Sequence, residues 1–363
     1  MAYTTIDDPT IYFNTILWTG SGNSSPRSFT GVGFQPDWVW YKCRSDTYNH
    51  NFVDVVRGTG LNSELCSNKN SIEGGGDSST HGYLSSFDTD GFSSANGSSN
   101  NLEFNQSGDT FVAWNWKAGT SFSNDASSTG IGTIDSTGSA SDTSGFSIVS
   151  YTGTGSAGTI KHGLSSVPKV IICKNRDTVE NWITYHEPLG AGKFLRLNQT
   201  NGETTSSNFW NDTTPTSSVF SVATGITVNN SGDDIIAYCF AEKKGYSKFG
   251  SYTGNGSSDG SYIHLGFKPA FFICKRYNDA GYDWLMYDNK RQVSFNVIDD
   301  FLKPNLSDTE TTGNANQSLD FLSNGVKHRG NGASSNGSGA TYIYMAFAES
   351  PFVTSTGIPT TAR

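Results

Sequence analysis

One set of strings is written three times in this 363-residue chain, and that repetition limits what it can fold into. The last copy is the clearest: SYTGNGSSDG at 251–260, GFKPAFFICKR at 266–276, DWLMYDNKR at 283–291 and TYIYMAFAE at 341–349. The middle copy reads SYTGTGS at 150–156, PKVIICKNR at 168–176, NWITYH at 181–186 and DIIAYCFAE at 234–242. The first reads LWTGSG at 17–22, PDWVWYKCR at 36–44, NFVDVV at 51–56 and TFVAWNWK at 110–117. Tyr151 to Tyr252 and Pro168 to Pro269 are both 101 residues apart. A period of about 100 residues is too long for a solenoid and fits a whole small domain.

The repeated strings are strand-like. On a strand, successive side chains point to opposite faces. One face of the closing string carries Val112, Trp114 and Trp116, then Ile236, Tyr238 and Phe240, then Ile343, Met345 and Phe347. The other face is smaller but also uncharged, so this strand lies inside a sheet with one side on a main core. Several such strands per copy, separated by Gly, Ser and Asn turns, predict an all-β protein. The expected architecture is three tandem antiparallel β-sandwich domains of jelly-roll or lectin-like kind. The boundaries read 1–119 for the first copy, 145–245 for the second and 246–352 for the third. Residues 120–144, almost all Ser, Thr, Gly, Asp and Ala, read as a linker, and 353–363 as a polar arm. The second copy runs directly into the third, which predicts a fixed contact between them and a first copy that is less constrained. The only helix signal is NVIDDFL at 296–302. Asp90-Gly91 reads as a tight turn rather than part of a calcium loop.

Charged residues are 16% of the chain, the net charge is −9, and no basic run exceeds two residues. That argues against a nucleic-acid partner, whose phosphates require clustered Lys and Arg. No apolar run is long enough to span a membrane, and the first residues lack the form of a secretion signal. The five cysteines show no CxxC spacing, and Cys173 and Cys274 align with Tyr41 in the first copy. A position that accepts Tyr fills space, so buried thiols are expected rather than disulfides or metal ligands.

Candidate sites each have a plain alternative. Phe52, Trp182 and Trp284 align, and Trp182 and Trp284 are candidate ligand or interface contacts. A ring there stacks on a sugar or fills the sandwich core. Lys42, Lys174 and Lys275 also align; Lys275 is a candidate contact, against the plain reading of a lysine reaching solvent from a strand end. Arg291, beside Lys290, is a candidate contact or ordinary surface charge. Asp283 and Asp288, with Asp299 and Asp300 nearby, are the only carboxylates that suggest a glycosidase pair. The second copy carries Asn181 and His186 at the first two positions, so the pair is not repeated. His162, His186 and His264 match no metal-binding spacing. No cofactor motif, catalytic motif or metal site is expected.

The strings YTGNGSSDG, GFKPAFFICKR, DWLMYDNKR, DFLSNG and YIYMAFAESPF resemble a domain of virion structural proteins in tailed bacteriophages, common in phages of marine bacteria. TTIDDPTIYFNTILWTGSG and FSIVSYTGTGSAGTIKHGL are similar to the same group, and the likeness spans most of 3–352. It implies a virion protein without enzymatic activity, made in the host cytoplasm. The role it implies is a tail fibre or appendage adhesin that contacts the host surface, or a capsid-decorating or tail-joining protein. A polysaccharide depolymerase is the minor alternative. The implied partners are other virion proteins, copies of itself in a symmetric oligomer such as a trimer, and a host cell-surface glycan.

Overall fold

The computed structural model describes residues 2–22, 26–292 and 295–360. The chain is nearly all β, with 40% of residues in strands, several antiparallel sheets and none of them closed. The described helices are single turns of three or four residues. The 296–302 stretch is not helical. Leu302 instead exchanges backbone hydrogen bonds with Met286, and Ile298 with Leu319. Strand-to-strand pairing satisfies this backbone where a helix was expected.

Each copy builds a four-stranded unit in the same order: opening, closing, lysine-bearing and inner strand. In the first sector these are Phe13–Thr19, Thr110–Trp116, Trp38–Cys43 and Asn51–Asp54. In the second they are Phe146–Thr152, Asp234–Phe240, Val170–Asn175 and Ile183–His186. In the third they are Ser247–Thr253, Thr341–Pro351, Phe267–Arg276 and Trp284–Asp288. The registers agree as well: Trp38 faces Trp116, Val170 faces Phe240 and Phe271 faces Phe347.

The two faces of each sheet have different fates. One face packs under a small outer sheet of two or three strands and forms a core private to its sector. The other faces of all three sheets meet in a single core. Trp38 stacks on Tyr238 with ring centroids 4.7 Å apart, Phe13 stacks on Phe347 at 5.4 Å, and Phe240 meets Phe347 edge-on at 5.9 Å. Every sector therefore touches both others, and the ring of three is closed. Each such aromatic pair adds about 0.5–1.5 kcal/mol beyond area burial. The first copy thus packs against both others, where the sequence predicts a less constrained one.

The expected linker is also structured. Thr120–Asn124 and Ser136–Ser141 form a hairpin that adds to the opening strand of the second sector and extends its sheet to eight strands. Sheet addition is a backbone interaction, so a Ser- and Gly-rich segment can join without large apolar side chains. Gly138 is required there, because a Cβ would come within 2.2 Å of the Ile148 carbonyl oxygen. Between the two strands, Asp125 caps a single helical turn, accepting from the Ser128 N–H at 3.0 Å.

The chain ends are tied in too. Ile6 lies in the common core, and Tyr3 Oη donates to the Gly266 carbonyl at 2.7 Å. The expected polar arm turns back at Val353–Pro359, and Ser355 N–H donates to Asp7 Oδ1 at 2.6 Å. Residues 361–363 of that arm lie outside the described residues.

Candidate functional site

The predicted contact residues converge on the seams between sectors. Trp182 and Trp284 are 0% and 3% exposed and belong to the common core. Their indole Nε1 groups donate across the seams: Trp182 to the Cys66 carbonyl at 2.8 Å, and Trp284 to the Arg196 carbonyl at 3.0 Å. Phe52, at the aligned position, packs edge-on against Trp182 at 5.1 Å. These rings join sectors of one chain and offer no face to a sugar.

Lys275 does not reach solvent, and neither do Lys42 and Lys174. All three are 0% exposed. They lie on the core-facing side of their strands, two residues beyond Trp40, Ile172 and Ile273. The ammonium groups are held by backbone carbonyls. Lys275 Nζ donates to Tyr282 at 2.5 Å and to Thr200 of the second sector at 3.2 Å. Lys174 Nζ donates to Asn175 at 2.6 Å, and Lys42 Nζ to Asp46 at 2.7 Å and to Cys43. Burial lowers the pKa of each lysine to about 8. Period-two alternation from Trp38 through Trp40 to Lys42 is the signal that locates them on this face.

Arg291 is likewise buried, not surface charge. Its Nε donates to Asp288 Oδ2 at 2.5 Å and its Nη1 to Glu310 Oε1 at 2.5 Å. Glu310 Oε2 accepts from Arg44 of the first sector, Nη2 at 2.6 Å, which closes the third–first seam. Asp288 Oδ2 also accepts from Trp114 Nε1 of the first sector at 2.9 Å. The first–second seam repeats this wiring. Asp54 Oδ2 accepts from Arg57 Nε at 2.6 Å and from Tyr238 Oη at 2.8 Å. Arg57 Nη1 donates to Glu73 at 2.7 Å, and Glu73 accepts from Arg176 of the second sector at 2.7 Å.

Among the described residues the second–third seam shows no such chain of charges. His186 stands where Asp54 and Asp288 stand, and Leu189 where Arg57 and Arg291 stand. His186 Nε2 lies 3.0 Å from the Tyr344 carbonyl, and burial lowers its pKa to about 4. A buried acid and its basic partner are therefore replaced together, as the cost of an unpaired buried charge requires. The repeated Asp-x-x-Arg string at 54–57 and 288–291 was the overlooked sequence signal. Asp288 is thus committed to a seam. Asp283 accepts from Asn305 Nδ2 at 2.7 Å and pairs with Lys303 at 3.5 Å.

Where the sectors meet there is an enclosed cavity of about 20 Å³, lined by Trp38, Trp116, Ile172, Phe271 and Trp284 among others. Drug-sized ligand pockets run to about 300–1,000 Å³, so this space is a packing void. Two open grooves of about 410 and 440 Å³ flank the added hairpin, lined mainly by Ser, Thr and Asp with Phe122 and Tyr151.

The first sector carries one feature that the sequence reading missed. On its outer face, Asn51 Nδ2 donates to Glu103 Oε2 at 2.6 Å, and Cys66 Sγ lies 3.2 Å from Asn51 Oδ1. Glu64 accepts from Gly76 N–H at 3.1 Å and from Ser78 Oγ. Gly76 is needed here, since a Cβ would fall 2.8 Å from Glu64 Oε1 and 2.9 Å from Cys66 Sγ. Burial raises the pKa of Glu103 to about 8, with Asp77 adding to the shift. All five cysteines are buried free thiols. Asp90 accepts from Gly31 and Gly33 N–H in the expected turn. Among the described residues no group of three His, Cys, Asp or Glu is placed to hold a metal ion, and no helix is long and apolar enough to cross a membrane.

Sheet, seam and core together define an all-β protein built from one module in triplicate. Residues 8–351 match the family described as a domain of unknown function, DUF7483, and the chain belongs to that family. No curated protein and no solved structure matches it.

Proposed function

We propose that the chain is a structural protein of a tailed-bacteriophage particle, serving as a building block of a tail fibre, tail appendage or capsid surface. It performs no chemistry of its own. The observation that supports the building-block part is the closed ring of three sectors around one aromatic core. Such a body is rigid and holds within one chain the threefold arrangement that fibres usually take from three chains. Trp182, Trp284, Lys275, Asp288 and Arg291 are committed to seams, and Asp283 is held by Asn305 and Lys303 of its own sector. The phage part rests on the resemblance of the repeated strings, with assembly in the host cytoplasm and a final place on the virion. In this reading each sector is a sandwich of jelly-roll or lectin-like kind. Gold-labelled antibody against the purified chain is expected to decorate intact particles at a fixed location; particles free of label sink the proposal.

A second reading, an adhesin for a host-surface glycan, is favoured by the two polar grooves beside the added hairpin. It predicts saturable binding of the full chain to host cells that Phe122→Ala weakens. Binding that is absent, or indifferent to that change, removes it.

A further inference from the structure

Each sector places one buried apolar residue from its outer sheet on its private core: Phe29, Ile160 and Ile263. They lie in the strands Arg27–Thr30, Gly158–Lys161 and Tyr262–His264, which are edges of those sheets. The residues on either side of the apolar one point away from the core. In the first sector these are Ser28 and Thr30, and in the second Thr159 and Lys161. In the third they are Tyr262 and His264, both exposed, Tyr262 at 45%. The module folds twice without a ring at these positions, so packing does not explain the two rings of the third sector.

The two rings belong to a larger cluster around Gly266. Tyr262 Oη lies 3.3 Å from His264 Nδ1. Tyr3 Oη donates to the Gly266 carbonyl at 2.7 Å, and the Phe352 N–H donates to the same oxygen at 3.3 Å. A Cβ on Gly266 would meet Tyr3 Oη at 2.7 Å and His264 Nε2 at 3.9 Å, so both side chains converge over this residue. Phe352 is itself 36% exposed. Two cations stand among the rings. Lys244 Nζ sits 4.6 Å from the centroid of the Tyr3 ring, and Lys248 Nζ donates to the His264 carbonyl at 2.7 Å. Among the described residues neither lysine pairs with a carboxylate. The acids next to this cluster in the chain are taken by other lysines: Glu242 pairs with Lys169 at 3.4 Å and Glu349 with Lys268 at 2.9 Å.

We infer that this aromatic and basic surface of the third sector binds an anionic polysaccharide. The C–H face of a pyranose ring packs against the negative face of an aromatic ring, which Tyr262 and Phe352 offer to solvent. Lys244 and Lys248 then pair with carboxylate or sulfate groups carried on the sugars. In a chain of net charge −9, two lysines without acidic partners give an anion one favoured place to settle. Nucleic acid suits the site less, because its closely spaced phosphates require a track of Lys and Arg. A protein partner also suits it less, because protein interfaces have a charge-poor centre, whereas here the cations stand among the rings. The inference goes beyond the building-block reading and concerns a different surface from the hairpin grooves. A chain that labels on particles yet binds no anionic polymer sinks only the present inference.

The test is biolayer interferometry of the full chain on immobilised dextran sulfate, polygalacturonate, neutral dextran and single-stranded DNA, at about 0.15 M salt. Saturable binding is expected to at least one of the two anionic polysaccharides and not to neutral dextran; which of the two binds tells sulfate from carboxylate. Replacing both lysines, Lys244→Ala with Lys248→Ala, is expected to weaken that binding about tenfold, and Tyr262→Ala to weaken it about tenfold as well. Phe122→Ala, beside the added hairpin, is expected to leave it unchanged. Should Tyr262→Ala lower the melting temperature, Phe352→Ser reads the contribution of the rings instead. No binding to either anionic polysaccharide overturns the inference, and so does DNA bound as tightly as they are. Binding lost with the lysines but kept by both Tyr262→Ala and Phe352→Ser also overturns it, because that is ion exchange without stacking. Binding weakened by Phe122→Ala places the sugar in the hairpin grooves and overturns it too.

Discussion

The Asp288–Arg291 pair provides a test of how the seams are held. Both side chains are essentially buried, at 0% and 1% exposure. Arg291→Met leaves Asp288 charged in the core with only Trp114 Nε1 and two backbone N–H groups as partners. Breaking a buried pair from one side costs about 3–5 kcal/mol. Asp288→Leu removes the acid and leaves Arg291 with Glu310 and the Met286 carbonyl; its expected cost is similar, about 3–5 kcal/mol. If the sites were independent, the double variant would lose about 6–10 kcal/mol. With both charges gone, Trp114 Nε1 and the backbone N–H groups at 290 and 291 lose their acceptor, at about 1–3 kcal/mol for each that stays unpaired, while Glu310 keeps Arg44; no unpaired Asp288 charge remains, so the loss is expected to fall short of the sum. The second–third seam is the internal precedent, since His186, Leu189 and Met345 occupy these three positions without an ion pair. Equilibrium urea unfolding of the four proteins measures the cycle. Costs that add to within about 0.5 kcal/mol refute the claim that the two charges form one unit.

Because the three sectors share a core, unfolding is expected as one transition by fluorescence and circular dichroism alike; separate melts of the copies would contradict the closed ring. Cutting the chain after residue 245 bares Phe13, Trp114 and Trp116, and the fragment is expected to aggregate or stay unfolded by gel filtration. Glu103 has a folded pKa raised from 4.5 to about 8, so between those values the folded state holds a proton that the unfolded state has lost. Its contribution to stability is complete below pH 4.5 and falls as pH rises through 8, by at most about 1.4 kcal/mol per pH unit. Glu103→Gln is therefore expected to match wild type near pH 4.5 and to exceed it at pH 8; a pH-independent difference between the two denaturation curves contradicts this. Trp182→Phe, which copies Phe52, loses one hydrogen bond and is expected to cost about 1 kcal/mol, whereas Trp182→Ala costs about 3–5 kcal/mol in the same assay.

The internal repeat and the strand character of its strings were legible because alternation and aligned turns survive in all three copies. The order of strands within a sector follows the same strings. The relation between sectors was not legible. An apolar strand face looks the same whether it packs on its own sandwich or on a neighbouring copy, so Trp38 and Tyr238 carry no mark of their contact. Lys275 and Arg291 were misplaced for a related reason. A charged residue reads as exposed until the carbonyls or carboxylates that hold it are known, and those come from distant loops such as Thr200 and Glu310. The 120–144 segment was misread because its low apolar content rules out a buried core but not membership of a sheet.

Joining three equal parts in one polypeptide also frees each from having to match the others. In an assembly of identical chains, exchanging Asp and Arg for His and Leu would alter every seam at once. Here the exchange touches one seam and spares two, and the spared seams lie where the covalent connection is longest or missing. The uncharged seam falls where residues 241–246 link neighbouring sheets directly, so the short tether already keeps those partners together. Genetic fusion thus let electrostatic bracing persist only at the joints with the most freedom to part.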